Sequence, residues 1–184
     1  MNDPSPKAAI LEIKLYQAGK ANAAGFDAPT KLSANENALG CSPAARAAYL
    51  AEAETLHQYP DPKAVALREA IAAKHDLDPA RIVLGAGSDE VFSLICQAYL
   101  SPGDTMVQPH YAFAAWAIAA KAAGAAVISA PEREYHADVD ALLANVDATT
   151  RVVFVANPAN PTGTVIPFAD IVRLHAALPS NVVL

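Results

Sequence analysis

From Ile82 onward the sequence alternates short apolar runs with stretches of helical periodicity, and no other feature restricts the fold as tightly. Ile82-Val83-Leu84 reads as a buried strand ended by Gly85-Ala86-Gly87. A helix follows over residues 88–100, with Val91, Phe92, Ile95 and Tyr99 along one face. Ser101-Pro102-Gly103-Asp104 stops that helix and turns the chain. A second strand is expected over 105–108, a second helix over 113–123 closed by Gly124, a third strand over 126–129 and a short helix over 139–145. The pattern continues with a fourth strand over 151–156, a helix over 168–178 and the start of a fifth strand over 181–184. Repeated strand–helix–strand units predict an α/β fold, a mostly parallel sheet flanked by helices. Upstream, helical patterns cover 44–56 and 64–75, separated by Tyr59-Pro60-Asp61-Pro62, and the first forty residues carry a short helix and an irregular arm. The expected division is an arm over 1–40 and one domain over 41–184. A doubly wound sheet needs a further helix and strand, so the chain reads as cut inside its sheet. The apolar edge so exposed predicts poor solubility.

Composition excludes several classes of function. Thirteen Lys and Arg against 19 Asp and Glu give a net charge of −6, which offers no electrostatic footprint for nucleic acid. The two cysteines, Cys41 and Cys96, lack metal-ligand spacing and do not form a disulfide framework, so no metal site is expected. No apolar signal core occupies the first ten residues, where Asp3, Pro4 and Pro6 interrupt it. The most apolar stretch, 112–126, contains Lys121 and Gly124 and is too short to span a bilayer. A soluble, cytoplasmic protein is the expectation.

Two segments have the composition of a ligand site. Gly85-Ala86-Gly87-Ser88-Asp89-Glu90 joins a predicted strand to a helix. Its glycines permit a tight turn, and the helix start offers unpaired amides with partial positive charge, which together suit a phosphate. The plainer reading is a helix cap, with Ser88 as the capping residue. A dinucleotide fingerprint wants a third glycine where Glu90 stands. The second segment, Asn157-Pro158-Ala159-Asn160-Pro161-Thr162-Gly163, follows the fourth predicted strand. Three rigidifying residues and two amides make a stiff loop at the edge where parallel sheets hold ligands, although capping asparagines in a proline-rich turn explain it too.

The string Asn-Pro-x-Asn-Pro-Thr-Gly over 157–163 resembles the signature of the fold-type I pyridoxal-phosphate-dependent aminotransferases (class I/II). Four companions follow the family's order. Asn35-Glu36-Asn37 with Gly40 and Ser42-Pro43 is similar to its substrate-edge motif, Tyr59-Pro60 to its tyrosine–proline step, and the 85–90 turn to its phosphate turn. Tyr16-Gln17-Ala18-Gly19-Lys20 resembles a segment of the histidinol-phosphate aminotransferase branch. Ala18, Ala38 and Cys41 depart from the pattern where proline is usual or common, which loosens the substrate more than the class.

The resemblance implies pyridoxal 5'-phosphate as cofactor and 41–184 as an incomplete first part of the large, cofactor-binding domain. It implies that Gly87 shapes the turn, that the amides of Ser88 and Asp89 hold the cofactor phosphate, that Tyr111 stacks on the pyridine and that Asn160 donates to its 3'-oxygen. Tyr59 would reach the phosphate of a partner subunit in a homodimer, and Tyr16 and Asn37 would line the substrate pocket. The implied reaction moves an amino group between glutamate and a phosphorylated imidazole amino alcohol, that is, histidinol phosphate with 2-oxoglutarate in histidine biosynthesis. The Schiff-base lysine is expected beyond Leu184, since none of the seven lysines follows the 157–163 loop. The 184 residues alone are therefore expected to be inactive. Alternatives are a sister enzyme (an aromatic aminotransferase or a phosphothreonine decarboxylase), a nucleotide-binding α/β domain, and a non-catalytic chain retaining only a dimer surface.

Overall fold

The computed structural model describes residues 5–16, 20, 22, 24–27 and 29–184. In chain order the helices are α1 (Ala8–Leu11), α2 (Pro43–Ala51), α3 (Val65–His75), α4 (Gly87–Tyr99), α5 (Ala114–Ala123), α6 (Val139–Ala144) and α7 (Phe168–Ala177). The strands are β1 (Thr105–Pro109), β2 (Ala126–Ala130), β3 (Glu132–Arg133), β4 (His136–Ala137) and β5 (Thr150–Val153). Contacts divide the chain into two compact units, one of Met1–Leu15 with Val83–Leu184 and the other of Tyr16–Ile82.

The larger unit is built on a parallel sheet in the order β2-β1-β5. Alternation along the strands explains why helices cover both faces. Met106 and Val152 point to one side, into a cluster with Cys96 and Leu100, Trp116 and Ala120 of α5, and Phe154. Their neighbours Val107 and Val153 point to the other, against Val139 and Leu142 of α6 and Leu174 of α7. Met106, Val107, Leu142, Val152, Val153 and Leu174 are all fully buried. Each side chain of this size contributes about 1.5–3 kcal/mol by leaving water.

Connectivity dictates the same two layers. The chain passes from β1 to β2 through α5, then from β2 back across β1 to β5 through α6. Parallel crossovers are right-handed, so reversing direction along the sheet moves the connecting helix to the opposite face. Consequently the segment after β1 leaves for one face and the segment after β5, which leads to α7, leaves for the other. Such a reversal is where open parallel sheets hold ligands, between the carboxyl ends of these neighbouring strands.

Local chemistry sets the element ends. After α4, the Ser101 amide donates to the Asp104 carboxylate at 2.8 Å and the Asp104 amide to the Ser101 carbonyl at 3.0 Å, closing the turn. Gly124 ends α5 at φ +95°, a backbone conformation that favours glycine, and a Cβ there would crowd Cγ of Pro102 at 3.0 Å. Asp138 caps α6 by accepting from the amides of Asp140 (2.9 Å) and Ala141 (3.2 Å), and it pairs with Arg133 at 2.5 Å.

Three strand expectations need correction. Ile82-Val83-Leu84 is not a strand: it pairs with no strand among the described residues, Val83 is exposed, and apolar character cannot supply a ladder. The fourth expected strand ends at Val153 rather than Ala156, although the Phe154 amide still donates to the Val107 carbonyl at 3.0 Å. Residues 181–184 contribute only a single parallel bridge, Val152 to Val183. One element was not expected, the antiparallel hairpin β3–β4. Its two turn residues, Glu134 and Tyr135, adopt φ of +48° and +65° without the glycine or asparagine that usually announces such a turn.

Within Tyr16–Ile82, α2 is capped by Ser42, whose hydroxyl accepts from the Ala45 amide at 3.1 Å, with Pro43 in the first turn. α2 runs on as a 3-10 turn, Glu52–Thr55. Asp61 starts α3 by accepting from the amides of Val65 and Lys63, both at 2.9 Å, and these bonds hold its carboxyl below the usual carboxylate range. The Arg68 guanidinium fastens α3 to the Pro79 carbonyl. Ala72 is the one buried residue described in this unit.

Candidate functional site

The start of α4 is built to leave two amides free. A helix begins with four amide donors that have no partner inside it. Here the Gly87 amide donates to the Gly85 carbonyl at 2.8 Å, and the Ala86 amide to the Glu90 carboxylate at 2.5 Å. The amides of Ser88 and Asp89 have no acceptor among the described residues, and they carry the partial positive charge of the helix terminus. Gly87, at φ +75°, makes the turn possible. A Cβ on Gly85 would lie 3.1 Å from both Oε2 of Glu90 and Cγ2 of Val91, so glycine there leaves Glu90 room to reach back. The capping position is Ala86, with no side-chain cap; Ser88, offered above as the capping residue, lies inside the helix.

Aromatic packing ties this helix start to the crevice. Phe92 of α4 meets Phe113 edge-on at 6.2 Å, Trp116 at 5.8 Å and Phe154 at 5.6 Å between ring centroids, and Trp116 stacks on Phe154 at 5.3 Å. Phe113 lies two residues after Tyr111, and Phe154 three residues before Asn157. Each such pair adds about 0.5–1.5 kcal/mol beyond its burial. The cluster therefore fixes α4 against the ends of both β1 and β5.

At the end of β1, Tyr111 keeps its ring half exposed, at 45%. Its amide donates to Oε1 of Glu132 at 3.0 Å, and its ring meets His110 at 4.8 Å and Tyr135 at 5.3 Å. These residues border a cavity of about 350 Å³, together with Pro131 and Glu134.

Beyond β5 the two asparagines have different tasks. The Asn157 amide donates to the Ile166 carbonyl at 2.9 Å while its oxygen accepts from the Ile166 amide at 2.9 Å, a two-point clamp across the loop. The Gly163 amide donates to the Ala159 carbonyl and the Ala159 amide to the Thr164 carbonyl, both at 2.8 Å, closing the loop from within. The Asn157–Pro158 and Asn160–Pro161 bonds are cis. Asn160 is half-buried, and its side chain makes no hydrogen bond among the described residues, so its donors remain available.

Gly87, Ser88, Asp89, Tyr111 and Asn160 all belong to the larger unit. Tyr16, Asn37 and Tyr59 belong to the other unit. Tyr16 is exposed, and its motif partners at 17–19 lie outside the described residues. Asn37 closes a local turn by accepting from the Leu39 amide at 3.0 Å, and Tyr59 is fully exposed. Sequence reasoning missed Glu132 and Tyr135, because the hairpin carrying them lacks turn residues. Among the described residues there is no cluster of metal-ligating side chains and no helix long and apolar enough to cross a membrane.

Switch-point crevices occur in many unrelated enzymes, so the geometry alone defines only a ligand-binding α/β domain. Comparison supplies the family: the chain belongs to the aminotransferases of class I and II, which it matches over residues 28–184. It is 51% identical over 181 residues to the histidinol-phosphate aminotransferase of Rhodospirillum rubrum, covering 98% of this chain and 49% of that one. It is 49% identical over 184 residues to that of Ruegeria pomeroyi, covering 100% and 51%. The chain spans about half the length of the curated relatives it matches. Among solved structures it is similar to the histidinol-phosphate aminotransferase of Sinorhizobium meliloti in complex with pyridoxal-5'-phosphate, with a TM-score of 0.78 and 27% identity over 81% of this chain and 41% of that one. A putative histidinol-phosphate aminotransferase from Erwinia carotovora atroseptica also gives a TM-score of 0.78, at 30% identity over 91% and 48%. The fold is that of the fold-type I aminotransferases, and the resemblance read from the five motifs holds.

Proposed function

We propose that this chain forms the cofactor-binding part of a pyridoxal-phosphate-dependent aminotransferase acting on histidinol phosphate with 2-oxoglutarate. The observation that carries this reading is the pair of unpartnered amides, Ser88 and Asp89, at the start of α4. Two free donors at a helix terminus suit a phosphate dianion and need no charged side chain. The remaining residues fit the rest of such a cofactor. The half-exposed Tyr111 ring offers a face for a pyridine, with stacking worth about 1 kcal/mol. Asn160 has a free amide donor for an ionised ring oxygen.

When bound, the cofactor supplies an electron sink for the charge left as a proton leaves the substrate's Cα. This chain's own residues bind and orient. Ser88 and Asp89 fix the phosphate end, Asn160 the oxygen substituent and Tyr111 the ring plane, while Asn157 keeps the Asn160 loop in register. Tyr59, fully exposed here, is assigned to the phosphate of a partner subunit in a homodimer, and Tyr16 and Asn37 to the substrate pocket. We retain 1–40 as the substrate-edge arm, 41–184 as part of the cofactor domain, and the cytoplasm as the compartment. None of the seven lysines follows the 157–163 loop, and none of them is assigned to bond the cofactor. The 184 residues alone are accordingly expected to be inactive.

Substrate competition in the whole protein tests the reading. Histidinol phosphate should be preferred over aromatic and dicarboxylic amino acids by at least about tenfold in kcat/KM, a difference of about 1.4 kcal/mol. Equal or reversed preference assigns the protein to a sister enzyme.

A further inference from the structure

The hairpin β3–β4 lies outside every motif named above, yet it touches both loops of the crevice. At its first residue, Glu132 accepts the Tyr111 amide through Oε1 at 3.0 Å; its Oε2 is buried and has no partner among the described residues. Among the described residues, Tyr111 is therefore the one group this carboxylate engages by a hydrogen bond. At the turn, the Tyr135 ring lies against Tyr111 at 5.3 Å, tilted by 42°. The Tyr135 carbonyl accepts the Thr164 hydroxyl at 2.9 Å, and Thr164 also meets Thr162 hydroxyl to hydroxyl at 2.9 Å. Thr162 and Thr164 belong to or adjoin the loop that carries Asn160. Glu134 and Tyr135 both sit at positive φ, a conformation that β-carbon-bearing residues adopt only when the surroundings enforce it.

We infer that Glu132 is a positioning residue for Tyr111, and that its hairpin is a brace setting the Tyr111 ring in register with the Asn160 loop. This rests on the assignment of Tyr111 as the ring that stacks on the cofactor. A residue after a strand end has no ladder to hold its backbone, and Tyr111 stands two residues past β1. The bond from Glu132 supplies the missing acceptor, and Tyr135 limits how far the ring turns. Thr164 then carries the same element to the second loop. Glu132 touches neither cofactor nor substrate in this account; it acts through the Tyr111 backbone.

The role needs an acceptor oxygen, not a charge, so Glu132→Gln and Glu132→Ala separate it from a general structural effect. In the whole, cofactor-free protein, amide hydrogen exchange at Tyr111 is expected to rise about tenfold in Glu132→Ala, and pyridoxal-phosphate affinity to fall about tenfold, the scale of one lost hydrogen bond. Glu132→Gln should recover most of both. Unchanged exchange at Tyr111 in Glu132→Ala, or equal losses in the two variants, overturns the inference. Should Glu132→Ala fail to fold, Thr164→Val decides: the brace predicts faster exchange at Tyr111, and an unchanged rate contradicts it. Tyr111→Ala separately tests the stacking assignment. Full cofactor affinity there removes Tyr111 from the site, whereas the exchange rates still judge the contact with Glu132.

Discussion

The two units differ most in what they bury. Val83–Leu184 places complete side-chain layers on both faces of a parallel sheet, with Met106, Leu142 and Leu174 wholly out of water. Tyr16–Ile82 has well-formed α2 and α3 but leaves Leu39, Tyr49, Leu50, Leu56 and Tyr59 exposed, and it buries Ala72 alone among its described residues. Capping by Ser42 and Asp61 defines where those helices begin, but caps are worth about 1 kcal/mol each and do not replace a core. Helix-forming sequence and a stable tertiary unit are thus separate matters. The smaller unit carries apolar surface of the kind that marks contact with other protein, as the proposed homodimer requires.

The comparison is broken most directly by core truncation. Leu142→Ala is expected to cost about 2–5 kcal/mol in chemical denaturation, because it opens a cavity in a packed layer. Leu50→Ala should change the stability of the monomer by no more than about 0.5 kcal/mol. Similar costs at the two positions would show that α2 has a core of its own.

A smaller effect sharpens the contrast within the crevice. Asn157→Ala removes both arms of the clamp on Ile166 and should destabilise the protein by about 1–3 kcal/mol. Asn160→Ala should leave the melt unchanged and weaken pyridoxal phosphate instead. If both variants lose only stability, Asn160 is structural. The smallest effect concerns Asp138. Burial pushes its carboxyl up, but the amides of Ala141 and Asp140 and the charge of Arg133 outweigh that and hold it below the usual carboxylate range. A depressed pKa contributes stability above the unfolded value of about 3.9 and loses it as pH falls through the folded one. Asp138→Asn should therefore flatten the acid limb of the stability curve below about pH 4 and leave the curve's shape unaltered near neutrality. An unchanged acid limb would remove Asp138 from the account.

Much of the larger unit was legible in the sequence because its periodicities were long and closed by clear stops. Gly124 ended α5, and 101–104 ended α4, within a residue of expectation. The apolar triplet 82–84 misled because strand formation depends on a neighbour, which residue type does not encode. The hairpin β3–β4 was invisible for the opposite reason: Glu134 and Tyr135 hold left-handed conformations through contacts with Thr164 and Tyr111 that only the folded chain creates. Of the site, the two loops were readable as stiff or glycine-rich segments. The division of labour between Asn157 and Asn160 was not, because it depends on the position of Ile166.

The central claim is that the start of α4 receives the phosphate of the cofactor. Its most direct test is a titration of the isotope-labelled, cofactor-free protein with pyridoxal phosphate, followed at each backbone amide by nuclear magnetic resonance. The account predicts that the Ser88 and Asp89 amides shift furthest and together, with Tyr111 and the Asn160 side chain responding at the same ligand concentration. Saturable binding that leaves Ser88 and Asp89 unmoved would contradict it.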